Sequence, residues 1–159
     1  MQSIRLFLKD DQVCYHTAHT DHCARYILQI RCNYIYVRTG GYTFIRKRTG
    51  NDIWKNLYEP VLMEADKDLS EDALAFEQKL FEVLGGTSWR FLKPVKRGVK
   101  HVLSHRVIHA NFYELHLPDD FGTLEGYQRV AEEDLHKFPV SNLVYQFFSL
   151  ILEPNNQKV

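Results

Sequence analysis

The chain has 159 residues, of which 45% are hydrophobic and 13% aromatic, with 20 Lys and Arg against 20 Asp and Glu. That is about one domain's length with ample core material, which excludes a disordered chain. No apolar run approaches the ~18 residues of a membrane span, and Met1–Arg5 turns polar too soon for a secretory signal; the expectation is a soluble, cytoplasmic protein that engages no membrane.

Residues 1–25 show weak periodicity and read as an irregular leader, with a short strand or loose arm at Ile4–Leu8. Cys14, Cys23 and Cys32 are an odd number of cysteines, so a disulfide framework is not expected. Their even spacing lacks the short Cys-x2-4-Cys pairs of zinc sites. His16, His19 and His22 lie among them, but no metal site is assigned. The organised domain begins near Tyr26 and runs to residue 152. Ile30, Cys32, Tyr34 and Tyr36 alternate with polar residues, which predicts a strand. Thr39-Gly40-Gly41 supplies a hairpin turn, and Tyr42–Lys47 is the return strand. A second loop, Thr49–Asp52, precedes the aromatic-rich Ile53–Tyr58, in which Trp54, Leu57 and Tyr58 are assigned to the core.

Leu69–Leu84 predicts a helix: Phe76, Leu80, Val83 and Leu84 recur on one stripe. Ser70 is its expected N-cap, Glu71 and Asp72 suit its positive start, and Gly85-Gly86 stops it. Trp89–Leu92 reads as a short strand, Lys93–Gly98 as a basic loop held by Pro94, and Gly98–His105 and Val107–Leu117 as paired strands. Arg129-Val130 closes the sheet, followed by a short helix over Glu132–His136. Pro139 opens a last helix buried through Leu143, Val144, Phe147, Phe148 and Ile151. Residues 153–159 are a frayed tail. Two main helices among several strands, without strict βαβ alternation, predict an α+β sandwich.

The zero net charge hides a pattern. No acid occurs from His22 to Asn51 or from Val83 to Tyr113, while Glu114–Phe138 holds seven. The first run carries Arg25, Arg31, Arg38, Arg46, Lys47 and Arg48, and the second Arg90, Lys93, Lys96, Arg97, Lys100 and Arg106. This asymmetry predicts a basic face for a polyanion, unless folding scatters the charges.

Two segments resemble the C-terminal domain of the adenine-DNA glycosylases, the MutY family. The first is Phe44–Glu59, similar to that family's arginine, glycine, Ile-Trp and Leu-Tyr-Glu stretch. It departs where Glu59 is followed directly by Pro60, without the usual aromatic. The second is Val99-Lys100-His101-Val102-Leu103-Ser104-His105, similar to the family's Lys-His-x-Phe-Ser-His element, with Leu103 in place of phenylalanine. Lys137–Ser141 is a third, weaker likeness. The resemblance covers about residues 26–152. It implies a Nudix-like α/β/α sandwich with a mixed, largely antiparallel sheet. It also implies a role in base excision repair: recognition of 8-oxoguanine opposite adenine in double-stranded DNA. The family's catalytic half, with its iron–sulfur cluster, has no room before Tyr26; that missing half is an expected partner. No catalytic residue, cofactor or metal is therefore assigned to this chain.

On this resemblance, Leu103, Ser104 and His105 form a reading tip, with Lys93, Lys96, Arg97 and Lys100 on phosphates and His101 adding a backbone contact. Oxidation gives the guanine a donor at N7, where guanine itself has only an acceptor, and a serine hydroxyl can accept from it. Arg46 and Arg48 either touch DNA or solvate an edge strand. A Nudix hydrolase would need carboxylates on one helix face to hold Mg²⁺. Aligning the final glycine of that motif on Gly85 puts Gln78 at its arginine, Lys79 and Val83 at two of its glutamates, and Glu82 at the third. Hydrolysis is not expected. The alternative to DNA reading is an inactive Nudix-like module that docks on a protein through its acidic segment.

Overall fold

The computed structural model describes residues 28–65, 73–104 and 106–153. The expectations for the leader, for Ser70–Asp72 and for His105 lie outside these residues. In chain order the elements are β1 (Leu28–Arg38), β2 (Tyr42–Lys47), β3 (Tyr58–Glu59), β4 (Val61–Ala65), α1 (Ala73–Val83), β5 (Phe91–Val102), β6 (Arg106–His116), β7 (Gln128–Ala131), a 3₁₀ helix (Glu132–Lys137) and α2 (Asn142–Leu152).

A four-stranded sheet runs in the order β4-β1-β6-β5, and a three-stranded one in the order β3-β2-β7. The long strand β1 is buried on both faces from Cys32 to Val37, which is why its sequence is almost continuously apolar. It pairs antiparallel with β4 and parallel with β6. Successive side chains point to opposite faces, and the two faces build two cores. Cys32, Tyr34 and Tyr36 of β1 and Ile108, Ala110 and Phe112 of β6 pack with Leu143, Val144, Phe147, Phe148 and Ile151 of α2. On the other side Ile35, Val37, Tyr113 and Leu115 pack with Phe76 and Leu80 of α1. The result is an α/β/α sandwich with a mixed sheet, as expected.

Gly40 and Gly41 both have positive φ, 53° and 81°, and Thr39 and Tyr42 exchange two backbone hydrogen bonds. This is the two-residue turn in which both central residues are left-handed. A Cβ on Gly40 would come within 3.2 Å of the Asp119 carbonyl oxygen. The return strand does not continue along β1, however. It twists away and pairs with β7 on one side and β3 on the other. Helix α1 ends as the glycine pair predicts: the Gly85 N–H donates to Glu82 O and the Gly86 N–H to Phe81 O. The last helix starts later than expected. Ser141 caps it by accepting from the Val144 N–H, while the Pro139 carbonyl accepts from the Tyr58 N–H.

The expected basic loop at Lys93–Gly98 is instead the middle of β5. Its register against β6 shifts twice, between Pro94 and Lys96 and between Lys96 and Val99. Strand β5 lies at the sheet edge, where a proline without N–H breaks no ladder and bulges are tolerated.

Candidate nucleic-acid interface

Strands β5 and β6 form a hairpin whose last rungs are Val102 opposite Val107 and the Leu103 N–H donating to Arg106 O. Leu103 is half-buried and packs against the α2-side core, so it props the turn rather than projecting from it. Ser104, one residue on, is exposed at the apex. His101 sits opposite Ile108 and is half-buried. Of the expected reading tip, then, the structure exposes Ser104, holds Leu103 against the core, and leaves His105 outside the described residues.

The four cations expected on phosphates do not share a face. Paired residues on adjacent strands point the same way. Lys93 lies opposite Glu114 and Lys96 opposite Phe112, on the α2 side. Lys100 lies opposite His109, on the α1 side, and the Arg97 guanidinium stands 5.8 Å over the Tyr113 ring, also on the α1 side. The second register shift is pinned by side chains. The Gly98 N–H donates to Asn111 Oδ1 at 2.9 Å, Asn111 Nδ2 donates to Asn33 Oδ1 at 3.2 Å, and Asn33 Nδ2 donates to Met63 O at 3.4 Å. This amide ladder crosses all four strands. The sequence reading missed it; the signal was two asparagines interrupting apolar strands, where a buried amide must find partners.

Several cations of the acid-free runs meet acids once the chain folds. Arg46 and Arg48 both bond to the buried Glu59, at 2.9 and 2.6 Å. Arg48 also pairs with Asp52 and lies over the Trp54 ring. Burial opposes the Arg48 charge, but the bonds from Asp52 and Glu59 more than offset it and raise its pKa further. These arginines lock the 48–57 loop. Arg38 bonds to Glu114 at 2.9 Å and Glu132 at 2.6 Å, and Lys93 to Glu114 at 3.0 Å. Glu114 also takes His116, which stacks on Phe91. Lys96 and Lys100 are exposed and make no ion pair among the described residues.

Nothing in the described residues forms a metal centre: no group of three His, Cys, Asp or Glu could hold an ion there. The Cys32 thiol is pushed up to about 12, chiefly by burial and then by the Glu64 charge, so it stays protonated as a core residue. On α1, Lys79 donates to the Glu64 carbonyl, Val83 packs against the core, and Glu82 is exposed. Among the described residues, no helix is long and apolar enough to cross a membrane.

A family model described as a NUDIX domain matches residues 33–150. The chain belongs to the Nudix domain family. The comparison with curated proteins found no match. Among solved structures, the Nudix chain is similar to the C-terminal domain of mouse MUTYH in complex with human PCNA. The TM-score is 0.64 at 15% identity, covering 82% of this chain and 94% of that one. It is also similar to the MutT protein from Methanosarcina mazei Go1 (TM-score 0.55, 15% identity, 82% and 97% covered) and to the E. coli ORF135 protein (0.54, 18%, 84% and 96%). At such identities the likeness shows a shared fold.

Proposed function

We propose that this Nudix domain recognises DNA, reading 8-oxoguanine opposite adenine, and does not hydrolyse a substrate of its own. The observation that carries the reading is the exposed Ser104 at the apex of the β5–β6 hairpin, beside the edge strand that carries Arg97 and Lys100 on the same face. The segment Lys100–His105 is the one that resembles the adenine-DNA glycosylases, and the mouse MUTYH C-terminal domain shares the fold. A hydroxyl at this apex can accept the N7–H of the oxidised base or donate to its O8. One such base-edge contact is worth about 1–3 kcal/mol of discrimination. The cations beside it supply sequence-independent affinity, while excision of the opposite adenine falls to a catalytic partner.

The test is a fluorescence-anisotropy titration of 8-oxoguanine:adenine and guanine:adenine duplexes at low salt, with Ser104→Ala alongside. Preference for the oxidised duplex of roughly five- to a hundredfold, abolished in Ser104→Ala, is the expected result. Equal affinity for both duplexes overturns lesion reading.

A second reading, docking on a protein, is favoured by one observation. Leu74 and Phe81, seven residues apart on α1, are 66% and 47% exposed. Binding of neither duplex would move the assignment there.

A further inference from the structure

We propose that a DNA backbone seats on the α1-side face of the β5–β6 hairpin, held by Arg97 and Lys100 with Gln29 and His109 beside them, and not by the α2-side lysines of the same strand. This rests on the DNA-reading role proposed above and assigns its phosphate surface.

The hairpin's two faces are in different states. On the α2 side, Val95, Val99 and Leu103 pack into the core, and Lys93 is bound to Glu114. That face is committed to holding the hairpin in place. On the α1 side, the core under α1 gathers Ile35 and Val37 with Tyr113 and Leu115, at one end of β1 and β6. Toward the hairpin tip the same face carries Gln29 of β1, His109 of β6, and Lys100 and Val102 of β5. Gln29 and Lys100 are exposed, and Val102 is 66% exposed. Among the described residues of β1, β5 and β6, no acidic side chain lies on this face.

The polar groups there are arranged as a row. Lys100 is directly opposite His109, and His109 is directly opposite Arg31 on β1. His109 Nε2 and Gln29 Oε1 are 2.6 Å apart, an orientation that leaves the Gln29 amide nitrogen as a further donor. Arg97 reaches this side because of the second register shift, which the Asn111–Asn33 ladder holds. From Lys100 to Ser104 is four residues of nearly extended chain, ~13 Å at ~3.3 Å per residue. That matches about four base-pair steps along the duplex axis at ~3.4 Å each. A duplex whose axis follows β5, with its backbone on Arg97 and Lys100, therefore delivers a base to the apex.

A salt titration of the 8-oxoguanine:adenine duplex separates the faces, because the slope of log affinity against log salt counts phosphate contacts. Three variants of the full chain are compared: Arg97→Gln/Lys100→Gln, Lys96→Gln and Lys100→Arg. The double variant should bind roughly tenfold or more weakly at low salt, with a slope shallower by about two. Lys96→Gln, an exposed lysine on the opposite face, should stay within about twofold with an unchanged slope. Lys100→Arg keeps the charge and should keep the slope. If the double variant is unfolded by circular dichroism, Lys100→Gln alone should shallow the slope by about one. A double variant with the wild-type slope, or Lys96→Gln flattening it as much, overturns the assignment and leaves DNA reading standing. Failure of the unsubstituted chain to bind any duplex overturns both.

Discussion

At the scale of single residues, charge decides more of this structure than its balanced composition suggests. Glu59 is nearly fully buried, and two guanidinium groups meet it there. Removing one partner of a buried pair leaves a charge without compensation, typically a loss of ~3–5 kcal/mol. Here Arg46 still faces Glu59 after Arg48→Ala, so the expected loss is about 2–3 kcal/mol, read as a lower midpoint in urea unfolding. Glu114 makes a prediction about pH. Burial pushes its pKa up, but the bonds from His116 and Lys93 and the Arg38 charge outweigh that and hold it below the ordinary carboxylate range. The folded protein then takes up the proton less readily than the unfolded chain. Its stabilisation is complete above the ordinary glutamate value, about 4.3, and is lost as pH falls through the folded value. Glu114→Gln should lower stability at neutral pH and flatten the acid limb of a thermal-melt series; an unchanged acid limb would count against this account.

Elements show where the sequence was readable and where it was not. The turn at Gly40-Gly41, the stripe of α2, the glycine stop of α1 and the pairing of β5 with β6 follow from local rules, and the structure has them. The start of α2 is expected too early, at Pro139; Ser141 caps the helix, its hydroxyl accepting from the Val144 N–H. Ser141→Ala should cost about 1 kcal/mol, seen as a lower melting temperature. Long-range facts were not readable. Nothing near Tyr42–Lys47 says that β2 leaves β1 to join β7, because that pairing lies some eighty residues away in the sequence. Pro94 and Gly98 mark Lys93–Gly98 as a loop when read alone. As a sheet edge with two register shifts, the same residues make a strand. The acid-free runs likewise foretell a basic face only in part. Arg38, Arg46, Arg48 and Lys93 find carboxylates contributed by other segments, so only part of the two runs' positive charge stays unpaired at the surface, Lys96 and Lys100 of β5 among it.

For the molecule as a whole, two cores on either side of a shared sheet leave most polar chemistry at the sheet's ends and edges. Membership of the Nudix family fixes that scaffold and leaves open what is mounted on it. In this chain the helix that would carry a metal-binding row has Lys79 anchored to the β4 backbone and Val83 turned into the core. The hairpin at the opposite edge of the sheet is where exposed cations and an exposed hydroxyl coincide. The amide ladder joins these regions mechanically, since it runs from β4 through β1 and β6 to the bulge on β5.

The parallel pairing of β1 with β6 also governs how the chain reaches this structure. Leu28 sits beside Arg106 and Arg38 beside His116, so each rung joins residues 78 positions apart. Until synthesis passes His116, β1 can use only its β4 edge, and its apolar flank toward β6 waits uncovered. Contacts so distant along the chain slow folding by orders of magnitude relative to local ones. The β5–β6 hairpin, closed by a turn of a few residues, can form early and then dock as a unit against β1. The β5–β6 hairpin would thus be assembled before the sheet that supports it, and the unpaired flank of β1 would be the segment most exposed to aggregation in the interval.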